Sequence, residues 1–173
     1  MPEARLITGL FPDRESAERA YASLNERGYG RDAVDVVMSD ETRRLHFATE
    51  RAVKTEVGNL AAEGAGIGGA IGGTVGAITA AIAAVGTNLV LPGLGLVVAG
   101  PVAAALAGAG AGAAGGGLVG ALLGWGIPEE RVKEYETGLR TGGILMGVRP
   151  RNDDDALHFR DAWRMAEARD VRG

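Results

Sequence analysis

Gly64-Ala65-Gly66-Ile67-Gly68-Gly69-Ala70-Ile71-Gly72-Gly73-Thr74-Val75-Gly76 places a glycine at every fourth position. Gly108-Ala109-Gly110-Ala111-Gly112-Ala113-Ala114-Gly115-Gly116-Gly117-Leu118-Val119-Gly120 does so again and runs on to Gly124. On a helix, residues four apart stack along one face. Gly64, Gly68, Gly72 and Gly76 then form one groove without side chains. Gly108, Gly112, Gly116, Gly120 and Gly124 form a second, extended backward by Ala104 and Gly100. A second helix backbone approaches closely along such a groove, the small-xxx-small packing of helices in lipid. Aliphatic bulk falls elsewhere on each helix: Ile67, Ile71, Val75, Ile78 and Ile82 on the first, Leu106, Leu118, Leu122 and Leu123 on the second.

The charge pattern isolates these runs. All 40 charged residues lie in 1–63 and 129–173, and the 65 residues from Gly64 to Pro128 carry none while holding 20 of the 29 glycines. Each glycine in an isolated helix costs on the order of 1 kcal/mol relative to alanine. Close packing, or a lipid solvent that forces backbone hydrogen bonds inward, must offset that cost. Pro92-Gly93 signals a turn between the runs, and Gly100-Pro101 restarts a helix. The expected centre is a two-helix hairpin, helix one over about 60–85 and helix two over about 101–124, joined by an apolar loop at 86–100. Either leg has the roughly 20 residues that a hydrocarbon core of about 30 Å demands. A hairpin returns both arms to one side with every Lys and Arg on that side, as the positive-inside tendency expects. Trp125 then sits at the interface that tryptophan favours.

The polar arms read as alternating elements. Residues 4–10 form a strand, broken at Phe11-Pro12-Asp13. Asp13 caps a helix whose Ala17, Ala20, Tyr21 and Leu24 recur at helical spacing. Gly28 or Gly30 ends it. Val34 to Met38 is a second strand closed by Ser39-Asp40-Glu41. Arg43 to Phe47 reads as a short strand or loop, and Ala48 to Glu63 as a polar helix leading to the centre. After the centre, Ile127-Pro128-Glu129-Glu130 starts a helix with Pro128 in its first turn. Val132, Tyr135 and Leu139 form its buried face and Gly142-Gly143 its end. Ile144 to Val148 is a strand, Asp153-Asp154-Asp155 opens a last helix with Leu157, Phe159, Trp163 and Ala166, and Asp170-Val171 adds an edge strand. Neither arm alone buries a stable core. The expected fold class is therefore α+β: a small ferredoxin-like sandwich formed by both chain ends (1–58 and 129–173), with the glycine-zipper α-helical hairpin (59–128) inserted.

The net charge of −4 gives no pull toward nucleic acid, and the absence of cysteine removes disulfides, thiolate nucleophiles and cysteine metal sites. Met1 to Arg14 has no basic stretch followed by a long apolar run, so the N-terminus is expected in the cytoplasm. Gly64-x-Gly66-x-x-Gly69 and Gly110-x-Gly112-x-x-Gly115 match the dinucleotide fingerprint. Neither directly follows a strand, so both read as chance matches. No Gly-Lys-Ser/Thr occurs. His46 and His158, the two histidines, stand far apart and read as surface positions, and Asp153 to Asp155 read as a helix cap before a cation site. No catalytic, cofactor or metal residue is expected, and the site residues are the nine helix-packing glycines.

Ser39-Asp40-Glu41-Thr42-Arg43, Ala61-Ala62-Glu63-Gly64-Ala65, Leu91-Pro92-Gly93-Leu94-Gly95, Ala99-Gly100-Pro101, Gly126-Ile127-Pro128-Glu129 and Gly138 to Val148 together resemble bacterial general stress or low-temperature-induced proteins over nearly the whole chain. The resemblance implies a stress-associated protein with a glycine-rich hydrophobic middle and carries no catalytic residues. Ala166-Glu167-Ala168-Arg169-Asp170-Val171 departs from it, lacking the glycine expected before a final strand. The resulting expectation is a non-enzymatic protein of the bacterial inner membrane, both termini cytoplasmic. Its partners would be membrane lipid and further copies of itself as a homo-oligomer, with no nucleic acid and no cofactor. The alternative is a soluble cytoplasmic oligomer, a scaffold or shell packed through the same glycine faces.

Overall fold

The computed structural model describes residues 6–47, 89–91, 96–101, 122–123 and 127–172. In chain order the elements are β1 (Ile7–Phe11), α1 (Arg14–Glu26), a 3-10 turn (Arg31–Ala33), β2 (Val34–Ser39), α2 (Asp40–Phe47), β3 (Leu89–Leu91), β4 (Leu96–Ala99), α3 (Glu129–Arg140), β5 (Ile144–Val148), α4 (Asp153–Met165) and β6 (Arg169–Arg172). The fold is α+β. Its sheet runs β3-β4-β2-β5-β1-β6, and every neighbouring pair is antiparallel.

Local chemistry explains most of these bounds. Asp13 accepts a 2.8 Å hydrogen bond from the Ser16 amide and so caps α1. Gly28 (φ 71°) and Gly142 (φ 96°) take the left-handed conformation that releases the chain from α1 and α3. Pro128 stands one position earlier than expected: it is the residue before α3, with extended ψ (143°), and Glu129 and Glu130 fill the first turn. Asn152, ahead of the three aspartates, caps α4 by accepting from the Asp155 amide at 2.7 Å.

Side chains alternate across the strands, and helices cover both faces. On one face Ile7, Phe11, Val36, Met38, Val97, Ile144, Met146 and Val148 pack under α1 and α4. Trp163 sits edge-on to Phe11 at 5.5 Å between ring centroids, and Tyr29 meets Phe159 at 4.8 Å. On the other face Leu10, Val37, Val98 and Leu145 pack against Leu122, Ile127 and the Val132, Tyr135 and Leu139 stripe of α3. Each such buried aliphatic or aromatic side chain contributes roughly 1.5–3 kcal/mol. Leu157, which the sequence pattern groups with the buried side of α4, is exposed. It precedes Phe159 by two positions and so points away from the core stripe.

Two further expectations are corrected. Residues 40–47 form a helix, not a strand or loop. Ser39 Oγ accepts from the Thr42 amide at 3.0 Å, and Asp40 reaches Arg43 at 2.8 Å and Arg44 at 2.5 Å. Such i, i+3 and i, i+4 pairs are neighbours on a helix surface. The second correction concerns the apolar loop expected at 86–100. It contains β3 and β4, and β4 pairs with β2 from Val36↔Ala99 to Ser39↔Leu96. β2 is buried from Val34 to Met38, so the backbone groups along its second edge need a strand partner, and short apolar runs beside turn residues are consistent with buried strands. The sheet thus takes in residues from within 59–128, the stretch expected to be hairpin alone. Helix one (60–85), nearly all of helix two (101–124), the Ala48 to Glu63 helix, the Pro92-Gly93 turn and Trp125 lie outside the described residues.

Candidate functional site

Gly64, Gly68, Gly72, Gly76, Gly108, Gly112, Gly116, Gly120 and Gly124 lie outside the described residues. What is described is where the glycine-rich segments leave and rejoin the sheet. The first segment departs after α2, which is tied down by a 2.6 Å hydrogen bond from the Arg14 guanidinium to the His46 carbonyl. It returns at β3. The second departs at Gly100, which has φ 111°. A Cβ there would lie 2.5 Å from the Val34 carbonyl oxygen and 2.7 Å from Asp35 Oδ1. The backbone of β4 therefore ends flush against the start of β2, and Asp35 is buried beside it. The second segment returns at Leu122 and Ile127. The Ile127 amide donates to the Leu122 carbonyl at 3.1 Å, and both side chains are buried with Val37 and Val98.

One buried polar contact holds α3 to the sheet, and a second polar cluster ties α1 to α4. Tyr135 of α3 shares a 2.9 Å hydrogen bond with Thr8 of β1. Burial pushes its phenol up from the ordinary value, with the Thr8 bond working against that shift. On the other face Tyr29 donates to Asp155 Oδ2 at 2.7 Å and accepts from the Arg151 amide at 2.6 Å, while the Arg151 guanidinium stacks 4.1 Å over its ring. Burial, then the bond to Asp155, raises the Tyr29 phenol. Asp155 also meets Arg27 at 3.2 Å. These side chains join the end of α1 to the start of α4. The sequence pattern does not show them, because their partners lie more than 100 positions apart.

The chemistry considered in the sequence is not gathered at one place. His46 is exposed on α2 and His158 lies on α4. Asp153 and Asp154 are exposed in the first turn of α4, while Asp155 turns inward. Among the described residues no group of three or more His, Asp or Glu is placed to hold a metal ion, and no helix is long and apolar enough to cross a membrane. Clefts among the described residues are shallow. One of about 480 Å³ lies beside Pro128, Glu129, Glu130 and Lys133, and one of about 250 Å³ lies between Leu10, Pro12, Thr141 and Arg169. No family model, curated protein or solved structure matches the chain.

Proposed function

We propose that this is a non-enzymatic, stress-associated structural protein of the bacterial inner membrane. Its glycine rows enter the bilayer and pack against one another and against further copies, and its α+β domain faces the cytoplasm. The fold of that domain is ferredoxin-like: β1-α1-β2 and β5-α4-β6 interleave as β6-β1-β5-β2, which supports a β-α-β-β-α-β unit with the glycine-rich segments inserted between β2 and β5. The observation that carries the functional reading is the 65-residue span without charge, Gly64 to Pro128, with its two spaced glycine rows. Such a span is suited to a medium that excludes water and rewards backbone-to-backbone approach. The test is washing of bacterial membranes with high salt and with alkali, where retention of the protein is expected and complete release defeats the reading. Replacing Gly72 and Gly116 together by Leu is expected to disrupt self-association.

The mean hydropathy of +0.07 favours a second reading, because alanine and glycine stand where a membrane segment would have leucine. In that reading the glycine faces pack between subunits of a soluble assembly. A monodisperse large oligomer in size-exclusion chromatography without detergent would select it.

A further inference from the structure

We infer that the outer face of α4 pairs with α4 of a second copy of this chain, antiparallel about a two-fold axis at Asp161. The inference does not rest on the membrane reading, since every residue it uses belongs to the α+β domain. A helix on a protein surface ordinarily turns apolar side chains inward and charge outward. The inner side of α4 obeys this, with Phe159 and Trp163 buried. The outer side does not. Leu157 is 57% exposed and Met165 is 79% exposed. They stand four residues before and four residues after Asp161, so the three share one stripe about 12 Å long. A lone exposed apolar side chain is ordinary. Here two flank an ion pair, because Arg164 lies 3.6 Å from Asp161 and both are mostly exposed.

That pattern is complementary to itself. A two-fold contact sets one patch against the same patch, residue i on j and j on i. With the axis at Asp161, Leu157 stands level with the partner's Met165, and Met165 with the partner's Leu157. Each Asp161 then has the partner's Arg164 about 4.5 Å along the helix, within reach of a long side chain. Two carboxylates and two guanidinium groups alternate around the axis. A parallel pairing would set Arg164 level with the partner's Arg164, and opposed like charges are costly. The antiparallel one holds them about 9 Å apart along the helix. The β6 end of the sheet is guarded against a second copy by Arg169, Asp170 and Arg172 and by the register shift against β1. α4 has 13 residues and is about 20 Å long. One helix face of that length buries less than the roughly 800 Å² per partner of a standard interface. The contact therefore belongs to the weak class, which a cross-link can trap.

The chain contains no cysteine, so one introduced thiol reports alone. Asp161→Cys and Asp154→Cys each replace an exposed residue of α4. The two copies of position 161 face each other at the axis. Position 154 is seven residues away, so its two copies stand about 21 Å apart along the helix, beyond the roughly 7 Å that a disulfide bridges. The full-length variants, purified in mild detergent, are oxidised with copper phenanthroline and read as disulfide-linked dimer on a non-reducing gel. Asp161→Cys is expected to link at least about tenfold faster than Asp154→Cys. Adding Leu157→Glu to the Asp161→Cys chain is expected to slow linking about tenfold, because it sets a carboxylate against the partner's Met165. Association through the glycine rows alone would bring both positions together without preference, so equal rates overturn the inference. An Asp161→Cys chain that forms no linked dimer also overturns it and leaves α4 to solvent or to a different protein. Linking that is indifferent to Leu157→Glu overturns it as well.

Discussion

The Tyr135 hydroxyl and the Thr8 hydroxyl, 127 positions apart, share a 2.9 Å hydrogen bond between α3 and β1, and both residues are buried. This contact fastens the helix that follows the second glycine-rich segment to β1. Tyr135→Phe keeps the ring and leaves the Thr8 hydroxyl without that partner. An unsatisfied buried polar group costs about 1–3 kcal/mol, and a urea melt of the variant is expected to show a loss in that range.

The same tyrosine, with Tyr29, predicts an alkaline limb. The phenols of Tyr135 and Tyr29 are both raised in the folded chain by burial. A raised group contributes stability that is full below its unfolded value, about 10, and is lost as pH rises through the folded value, because the unfolded chain gives up its proton first. Stability measured by chemical denaturation should therefore be level toward pH 9 and fall above about 10. Tyr135→Phe should lessen the slope, and an unchanged slope would show that Tyr135 does not titrate in this range.

Asp155 closes the second clasp, accepting from Tyr29 and from the Asn152 side-chain amide at 3.2 Å while meeting Arg27. The two ion-pair partners differ in exposure. The Arg27 side chain is 42% exposed and that of Asp155 is 9% exposed. Arg27→Ala removes a pair partner that water already screens and should cost under about 1 kcal/mol. Asp155→Ala strips the buried Tyr29 hydroxyl of its acceptor and should cost about 1–3 kcal/mol. Equal losses in thermal melts of the two variants would contradict this division.

The legible part of the fold is the part governed by short-range chemistry. Asp13, Gly28, Gly142 and the Val132, Tyr135, Leu139 stripe act within a turn or two of their own positions, and the sequence pattern locates each of them. β3 and β4 are not legible because their identity depends on β2. Leu89 to Ala99 reads as an apolar loop until the free edge of Val36 to Ser39 is seen to require a partner. α2 is masked by its charge: Arg43 and Arg44 resemble a solvated connection, and only their pairing with Asp40 reveals a helix. The side of the sheet that α3 covers is likewise a tertiary outcome, set by Ile127 and Leu122 packing on Val37 and Val98. Of the candidate site, the glycine rows are legible in the sequence, whereas the docking of their middle onto the sheet is not.

Gly100 gives that docking a direct test. Alanine there must adopt φ near 111° with its Cβ driven against the Val34 carbonyl and Asp35. Strain and overpacking together should cost roughly 3 kcal/mol. The loss should be local first: amide exchange at Val97 and Val98 should accelerate more than at Leu145 and Met146, which are paired on β5. Uniform acceleration would mean that β4 and β5 open as one unit.

Glu167 offers a change of opposite sign. α4 ends with the Ala168 amide donating to the Trp163 carbonyl at 2.9 Å and the Glu167 amide to the Arg164 carbonyl at 3.1 Å, a left-handed helix stop with φ 63° at Glu167. No glycine stands at this stop, and the strand β6 forms without one. A side chain at that backbone conformation costs about 1–2 kcal/mol, which glycine avoids. Glycine's greater freedom in the unfolded chain returns part of the gain. Glu167 is exposed and has no hydrogen bond or ion pair from its side chain among the described residues. Glu167→Gly should therefore raise stability by about 1 kcal/mol in a urea melt. A loss of stability would mean that Glu167 holds the turn through its side chain and that the backbone strain is already relieved by β6.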